Sequence, residues 1–447
     1  MIQFPIISAG SPLKLKFLRH IPHSRFSPAS AIEPPISSSP TISKCISPTF
    51  PPDEEFFTEG VRSAVQLALP SLIQRGLEPI YMHIGAPIEL PPSGILEKLR
   101  ETISANGAHI YSLPRGEEQL LNAVAHHMKN RYGVEVNPKE EICIVPGSCP
   151  AIFFVLRDLV KQGITLIPTP GYPPYATASE KGGHTILGMP LSPANNFMPD
   201  VDSSIKELDQ CGLIDDVHSL LVNYPHNPTG AVADLNYYRN LIKLAKQYNL
   251  LIVSDMAYGE IYNPTGEKPH SIFEIPGAKD VCIEIHTFGK TFSMTGDRAG
   301  FVIANRDIIN LFETYLKHVH IGNVPKPIQL AVAHGLTSRE CMQVVAERNI
   351  EYKSRFDLMT NGLRDLDWQI DNFNRAGFFL WVKVPEAGKT SREFFNDLLC
   401  KAGIVVVPGS DFGSEGEGYI RISLTQSREK LAEVLERLRT NGFKYDK

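Results

Sequence analysis

Along the chain, continuous runs of Val, Ile and Leu alternate with stretches in which apolar residues recur every three or four positions. The runs fall at 142–147 (ICIVPG), 164–169 (ITLIPT), 184–191 (HTILGMPL), 219–225 (SLLVNYP), 250–255 (LLIVSD), 281–288 (VCIEIHTF) and 299–305 (AGFVIAN). The intervening stretches, such as 151–161 (AIFFVLRDLVK) and 234–248 (DLNYYRNLIKLAKQY), have helical period. Strands that are apolar on both faces and alternate with helices predict a mostly parallel sheet covered on both sides. In such sheets ligands sit beyond the carboxyl ends of the strands. The residues to watch are therefore those just after each run: Gly147, Ser148, Tyr172, Asn227, Asp255, Tyr258 and Lys290.

Two other regions differ. A helical pattern at 56–76 is broken by Pro70, which predicts an interruption there. Beyond about residue 323 come long helices and then short strands at 377–385 (GFFLWVKVP), 403–409 (GIVVVPG) and 419–425 (YIRISLT), the pattern of a smaller α+β domain. The expected organisation is an extension over 1–53, an N-terminal helix and arm over 54–85 belonging to the small domain, a large domain over 86–322, and a small C-terminal domain over 323–447. At 447 residues the chain suits two domains and an extension. The first fifty residues are rich in Ser and Pro, with Lys14, Lys16, Arg19, Arg25 and Lys44 against Glu33 alone. That composition fits an organelle transit peptide, a plastid one before a mitochondrial one, and equally a disordered tail or an upstream start codon.

Charge and cysteine content narrow the classes. A net charge of −5 supplies no polycation for nucleic acid or an anionic membrane, and no apolar run is long enough to span a bilayer. A soluble protein is expected, cytoplasmic or within an organelle. The seven cysteines are scattered with no CxxC pair, so no metal site is expected, and buried thiols in a reducing compartment are.

Each strand-end residue has a plain reading when taken alone. Lys290 could be a solvated lysine, Asp255 a helix cap, Asn227 a turn residue in NPTG, and Tyr258 a core tyrosine. Their chemistry has another reading. A lysine desolvated at a strand end has a lowered pKa and becomes a nucleophilic amine. A carboxylate after four apolar residues calls for a cationic partner.

Taken in order, NPTG (227–230), DMAY (255–258), K-x5-G-x-R-x-G (290–300) and YIRIS (419–423) resemble the class I/II pyridoxal-phosphate aminotransferases of fold type I. That resemblance implies an α/β large domain with a seven-stranded, mostly parallel sheet, a smaller α+β domain, and transfer of an amino group between an amino acid and a 2-oxo acid. It implies that Lys290 is the amine that condenses with the aldehyde of pyridoxal 5'-phosphate, and that Asp255 holds the proton on its ring nitrogen. Asn227 and Tyr258 would face the phenolate oxygen, and Tyr172 would stack on the ring. Gly147, Ser148, Cys149, Thr287 and Arg298 would cup the phosphate, with Tyr111 reaching it across a homodimer interface. Arg421, with Gly85 and Asn227, would hold the substrate carboxylate. Longer stretches, including 223–248 and 402–425, resemble the LL-diaminopimelate aminotransferases of lysine biosynthesis. An aspartate, alanine or aromatic aminotransferase, or a C–S lyase on the same fold, is the alternative. Gly289 and Asp297 depart from the usual serine and large apolar residue, as do Cys149 and Pro150 from the commoner polar residues.

Overall fold

The computed structural model describes residues 57–320, 323–371 and 375–444. The expected transit segment lies outside them. Among the described residues, no helix is long and apolar enough to cross a membrane.

The strands are β1 (Ile80–Tyr81), β2 (Ile142–Val145), β3 (Ile164–Thr169), β4 (Thr185–Pro190), β5 (Val217–Asn223) and β6 (Leu251–Asp255). They continue with β7 (Cys282–Thr287), β8 (Gly300–Ile303), β9 (Phe379–Lys383), β10 (Ile404–Val405), β11 (Val407–Pro408) and β12 (Tyr419–Ser423). Seven of them form one sheet in the order β2-β8-β7-β6-β5-β3-β4, with β8 antiparallel to both neighbours and the remaining pairings parallel. The predicted α/β class and seven-stranded sheet are both present.

Alternate side chains of the central strands feed two separate cores. Leu220, Val222 and Ile252 join the helix Leu235–Gln247, whereas Leu221, Val253, Ile283 and Ile285 pack beneath 148–159 and the helix Arg306–Tyr315. Burial on both faces explains why the sequence shows unbroken apolar runs there. The predicted helix 151–161 starts earlier, as an α-helix over Ser148–Phe154, and passes into a π-helical turn over Val155–Leu159.

A third core is built around the antiparallel sheet β11-β12-β9 and the parallel pair β1-β10. Val61, Val65 and Leu72 of the first helix belong to it. That helix runs unbroken over Phe57–Gln74, so the interruption expected at Pro70 does not occur. Pro70 is exposed, as is Gln66 one turn earlier, whose carbonyl loses its N–H partner, and the buried face of the helix continues past both. The expectation of buried thiols holds for Cys143, Cys282 and Cys341 but not for the exposed Cys400.

Candidate active site

The carboxyl ends of β2, β3, β5, β6 and β7 converge on one cavity of about 250 Å³, and β12 closes it from the other side. Gly85, Ser148, Cys149, Tyr172, Asn227, Asp255, Tyr258, Thr287, Lys290, Arg298 and Arg421 all line it. Two residues expected at the site do not. Gly147 stands one position earlier, at φ +93, a conformation that favours glycine, and a Cβ there would lie 2.6 Å from Arg298 Nη2, so a side chain would displace that guanidinium. Tyr111 is 82% exposed and borders a separate cavity of about 1030 Å³.

Asp255 is the last residue of β6, beside Asn223 of β5 in register. Burial raises its pKa to about 6, against the pull of two donors. Those donors are Tyr175 Oη, 2.7 Å from Oδ2, and the Ala257 N–H, 3.1 Å from Oδ1. Lys290 lies on a single helical turn, Phe288–Thr291, directly after β7. Burial, then the positive fields of Arg421 and Arg298, lowers its pKa to about 8, so about a tenth is free amine at pH 7, far more than for an ordinary lysine. Its Nζ donates to the Gly85 carbonyl.

Thr287 begins that turn. Its Oγ1 accepts from the Gly289 N–H at 3.1 Å and donates to the Ala299 carbonyl at 3.3 Å. The hydroxyl therefore caps the lysine's turn while lining the cavity. Arg298 takes a left-handed backbone conformation, φ 54, and is exposed in the single chain, with Nη1 donating to the Thr295 carbonyl at 2.9 Å.

Arg421 is fully buried on β12. Nη1 donates to Asn227 Oδ1 and Nη2 to the His83 carbonyl, each at 2.8 Å. The guanidinium lies 4.1 Å from the Phe379 ring centroid and 5.1 Å from that of Phe412. A cation held this way keeps one geometry, which suits planar carboxylate recognition. Tyr172 meets Tyr175 edge-on at 5.4 Å, and Tyr258 packs edge-on against Phe378 and Phe379.

Tyr175, Asn223 and Thr295 also line the cavity, though none stands among the residues expected from the sequence. Tyr175 is the second tyrosine of YPPY, and one helical turn carries it from Tyr172 to Asp255. Asn223 ends an apolar run as Asp255 does. Its Nδ2 donates to the Asp255 carbonyl and its Oδ1 accepts from the Asn227 N–H, each at 2.9 Å, which ties the neighbouring strand end to the NPTG turn.

The chain is similar to known proteins over most of its length. A model of the aminotransferase class I and II family matches residues 80–438. LL-diaminopimelate aminotransferase 2 of a Nostoc species is 38% identical over 377 residues, 84% of this chain and 94% of that protein. The LL-diaminopimelate aminotransferase of Aquifex aeolicus is 38% identical over 371 residues, 82% and 92% of the two chains. Among solved structures, substrate-bound BacF from Bacillus subtilis matches with a TM-score of 0.79 at 29% identity, over 92% of this chain and 99% of that one. The aromatic aminotransferase from Pyrococcus horikoshii matches at 0.75 with 30% identity, over 83% and 98%.

Proposed function

The chain belongs to the class I and II aminotransferase family and is a transaminase; on that premise we propose that it binds pyridoxal 5'-phosphate and acts on LL-diaminopimelate, with 2-oxoglutarate as amino acceptor. The substrate reading is supported by the curated relatives of that name at 34–38% identity. The cofactor reading rests above all on one observation. Lys290 and Asp255, from adjacent strands, share a cavity in which the lysine is pushed toward free amine and the acid stays half-ionised near pH 6.

The donor set fits the cofactor. An amine for an aldehyde and an acid for a ring nitrogen share the cavity with Ser148, Thr295 and Arg298, which suit a phosphate. The glycine at 147 leaves Arg298 its place. When bound, the cofactor would draw electrons from the substrate's Cα and so acidify its proton. The remaining work falls to the chain. Arg421 holds the substrate carboxylate, with Asn227 and the His83 carbonyl fixing its plane. The Lys290 amine is placed to take the Cα proton and to give it back, as general base and then general acid. Asp255, kept ionised by Tyr175 and the Ala257 amide, holds a proton on the cofactor ring. Burial of the site keeps water from competing for that proton.

A homodimer is part of this reading. Tyr111 stands out from the surface beside exposed Ile110 and Leu113, and in the dimer it would reach the partner's phosphate site. The test is a half-reaction screen. Holoenzyme is mixed with LL-diaminopimelate, glutamate, aspartate, alanine and phenylalanine, and the loss of the lysine-bound cofactor's absorbance is followed. Fast conversion by LL-diaminopimelate and glutamate alone is expected. Conversion by aspartate, alanine or phenylalanine with none by LL-diaminopimelate would replace the substrate assignment.

A further inference from the structure

Among the described residues β2 is an edge strand whose only ladder partner is β8, so its outward N–H and C=O groups need partners elsewhere. Ile144 finds both outside the sheet. Its N–H donates to the Arg115 carbonyl at 2.8 Å, and its carbonyl accepts from Asn323 Nδ2 at 2.7 Å. The same nitrogen donates to the Pro114 carbonyl at 2.7 Å, and the Asn323 N–H donates to Ser112 Oγ at 3.2 Å. Oδ1 accepts from the Val324 N–H at 2.7 Å, which settles which end of the carboxamide faces the two carbonyls.

The segment so fastened lies directly on the strand. Gly116 has φ +120, and a Cβ there would stand 2.3 Å from Ile144 Cγ1. Two more contacts hold the segment on its far side. Arg115 Nε donates to Glu313 Oε2 at 2.9 Å, and Gln329 Oε1 accepts from the Glu117 N–H at 2.7 Å. Three residues beyond Ile144 the chain reaches Gly147, and three residues before Pro114 stands Tyr111. The Asn323 carboxamide, together with the direct Ile144–Arg115 backbone bond, thus sets the spacing between the strand end that leads into the Gly147–Ser148 turn and the loop that presents Tyr111.

We propose that Asn323 is a positioning residue for cofactor binding, holding the Tyr111 loop and the end of β2 in one fixed relation. The proposal rests on the reading of the cavity as a pyridoxal-phosphate site. Asn323 does not line that cavity, and its effect passes through the backbone of Ile144 and Pro114. Only an asparagine-like group suffices. An aspartate would keep the acceptor for Val324 but would turn a lone pair toward both carbonyls.

The test uses the full-length apoenzyme and equilibrium dialysis against pyridoxal phosphate. Asn323→Ala removes two donated bonds, and its Kd is expected to rise about tenfold. Asn323→Asp is expected to raise it further. KM for the amino donor, measured on cofactor-saturated enzyme, stays within about twofold because Arg421 is untouched. A merely structural role would lower the melting temperature and leave Kd alone. A Kd within about twofold of wild type in both variants overturns the proposal, whatever the melting temperature does. Where the aspartate variant does not fold, Ser112→Ala replaces it, with a smaller rise expected and an unchanged Kd counting against the proposal. Tyr111→Phe is run in parallel. If its Kd is unchanged, Tyr111 leaves the site reading while the Asn323 variants still decide this proposal. If wild-type apoenzyme takes up no pyridoxal phosphate, the cofactor reading fails and the proposal with it.

Discussion

Tyr175 donates a 2.7 Å hydrogen bond to Asp255 Oδ2, and both groups are buried. This bond holds down the pKa of a carboxyl group that burial alone pushes up. A hydrogen bond to a charged group contributes about 1.5–3 kcal/mol, equivalent to roughly 1–2 pKa units. In Tyr175→Phe the ionised form of Asp255 loses that support, so its pKa rises. Activity that needs the carboxylate should then be lost at higher pH on acidification. The acid limb of the kcat profile is expected to move up by about one unit. An acid limb at the wild-type position would show that Tyr175 does not govern Asp255.

Lys290→Ala removes the amine while leaving β7 and its capping turn in place. Loss of a general base costs on the order of 10²–10⁴ in rate, and the expected fall in kcat is at least that. A separate readout is covalent attachment. After borohydride reduction, wild-type protein should carry the cofactor mass on the peptide containing Lys290, and the variant should carry none. A labelled peptide elsewhere in the wild type would move the catalytic lysine.

Arg421→Lys keeps the charge but loses the planar fork that meets Asn227 and the His83 carbonyl. A lost charge-assisted bond of about 1.5–3 kcal/mol corresponds to roughly 10- to 100-fold in kcat/KM. The loss should appear in KM for carboxylated amines, with cofactor Kd unchanged within about threefold. An unchanged KM would take the substrate carboxylate away from Arg421.

The order of the catalytic residues was legible in the sequence because each follows a strand that is apolar on both faces. An apolar run ending in Asp, Asn or Lys marks a strand end as clearly as any motif. Tyr175 was not legible, since its role depends on one helical turn swinging it across β6, and in sequence it reads as a core tyrosine. Thr287 read as a phosphate donor, whereas in the fold its hydroxyl also caps the lysine's turn. Asn323 lies far from every motif, and only the edge position of β2 gives it work. The unbroken helix through Pro70 shows the limit of local rules. Its buried face, shared with the small sheet, outweighs one missing backbone bond at a solvated site.

Buried neutral histidines set an acid limit on stability. Burial lowers His226 to about pKa 3, His184 to about 4 and His83 to about 4. In each case the unfolded chain, with its pKa near 6.5, binds the proton first. Stability should therefore be full above about pH 6.5 and fall steadily as pH drops toward 4. Melting temperature measured from pH 8 to 4 at constant ionic strength checks this. A flat profile down to pH 5 would mean that these imidazoles gain proton acceptors in solution.

Gly289 stands before the lysine where the family resemblance implies serine, and the geometry gives that departure a consequence. A Cβ at 289 would lie 3.1 Å from Thr295 Cα, 3.3 Å from Thr287 Oγ1 and 3.4 Å from the Met294 carbonyl oxygen. Two of those neighbours are backbone atoms of the turn that brings Thr295 and Arg298 to the cavity. Gly289→Ser must therefore push that turn outward by a few tenths of an ångström or press on the Thr287 cap. Overpacking of this kind costs about 1–3 kcal/mol, and the melting temperature is expected to fall accordingly. Because the displaced turn carries Thr295 and Arg298 rather than Arg421, cofactor Kd should rise while KM for the amino donor stays near wild type. A variant with unchanged stability and unchanged cofactor affinity would show that the turn yields freely, and Gly289 would then carry no structural consequence in this chain.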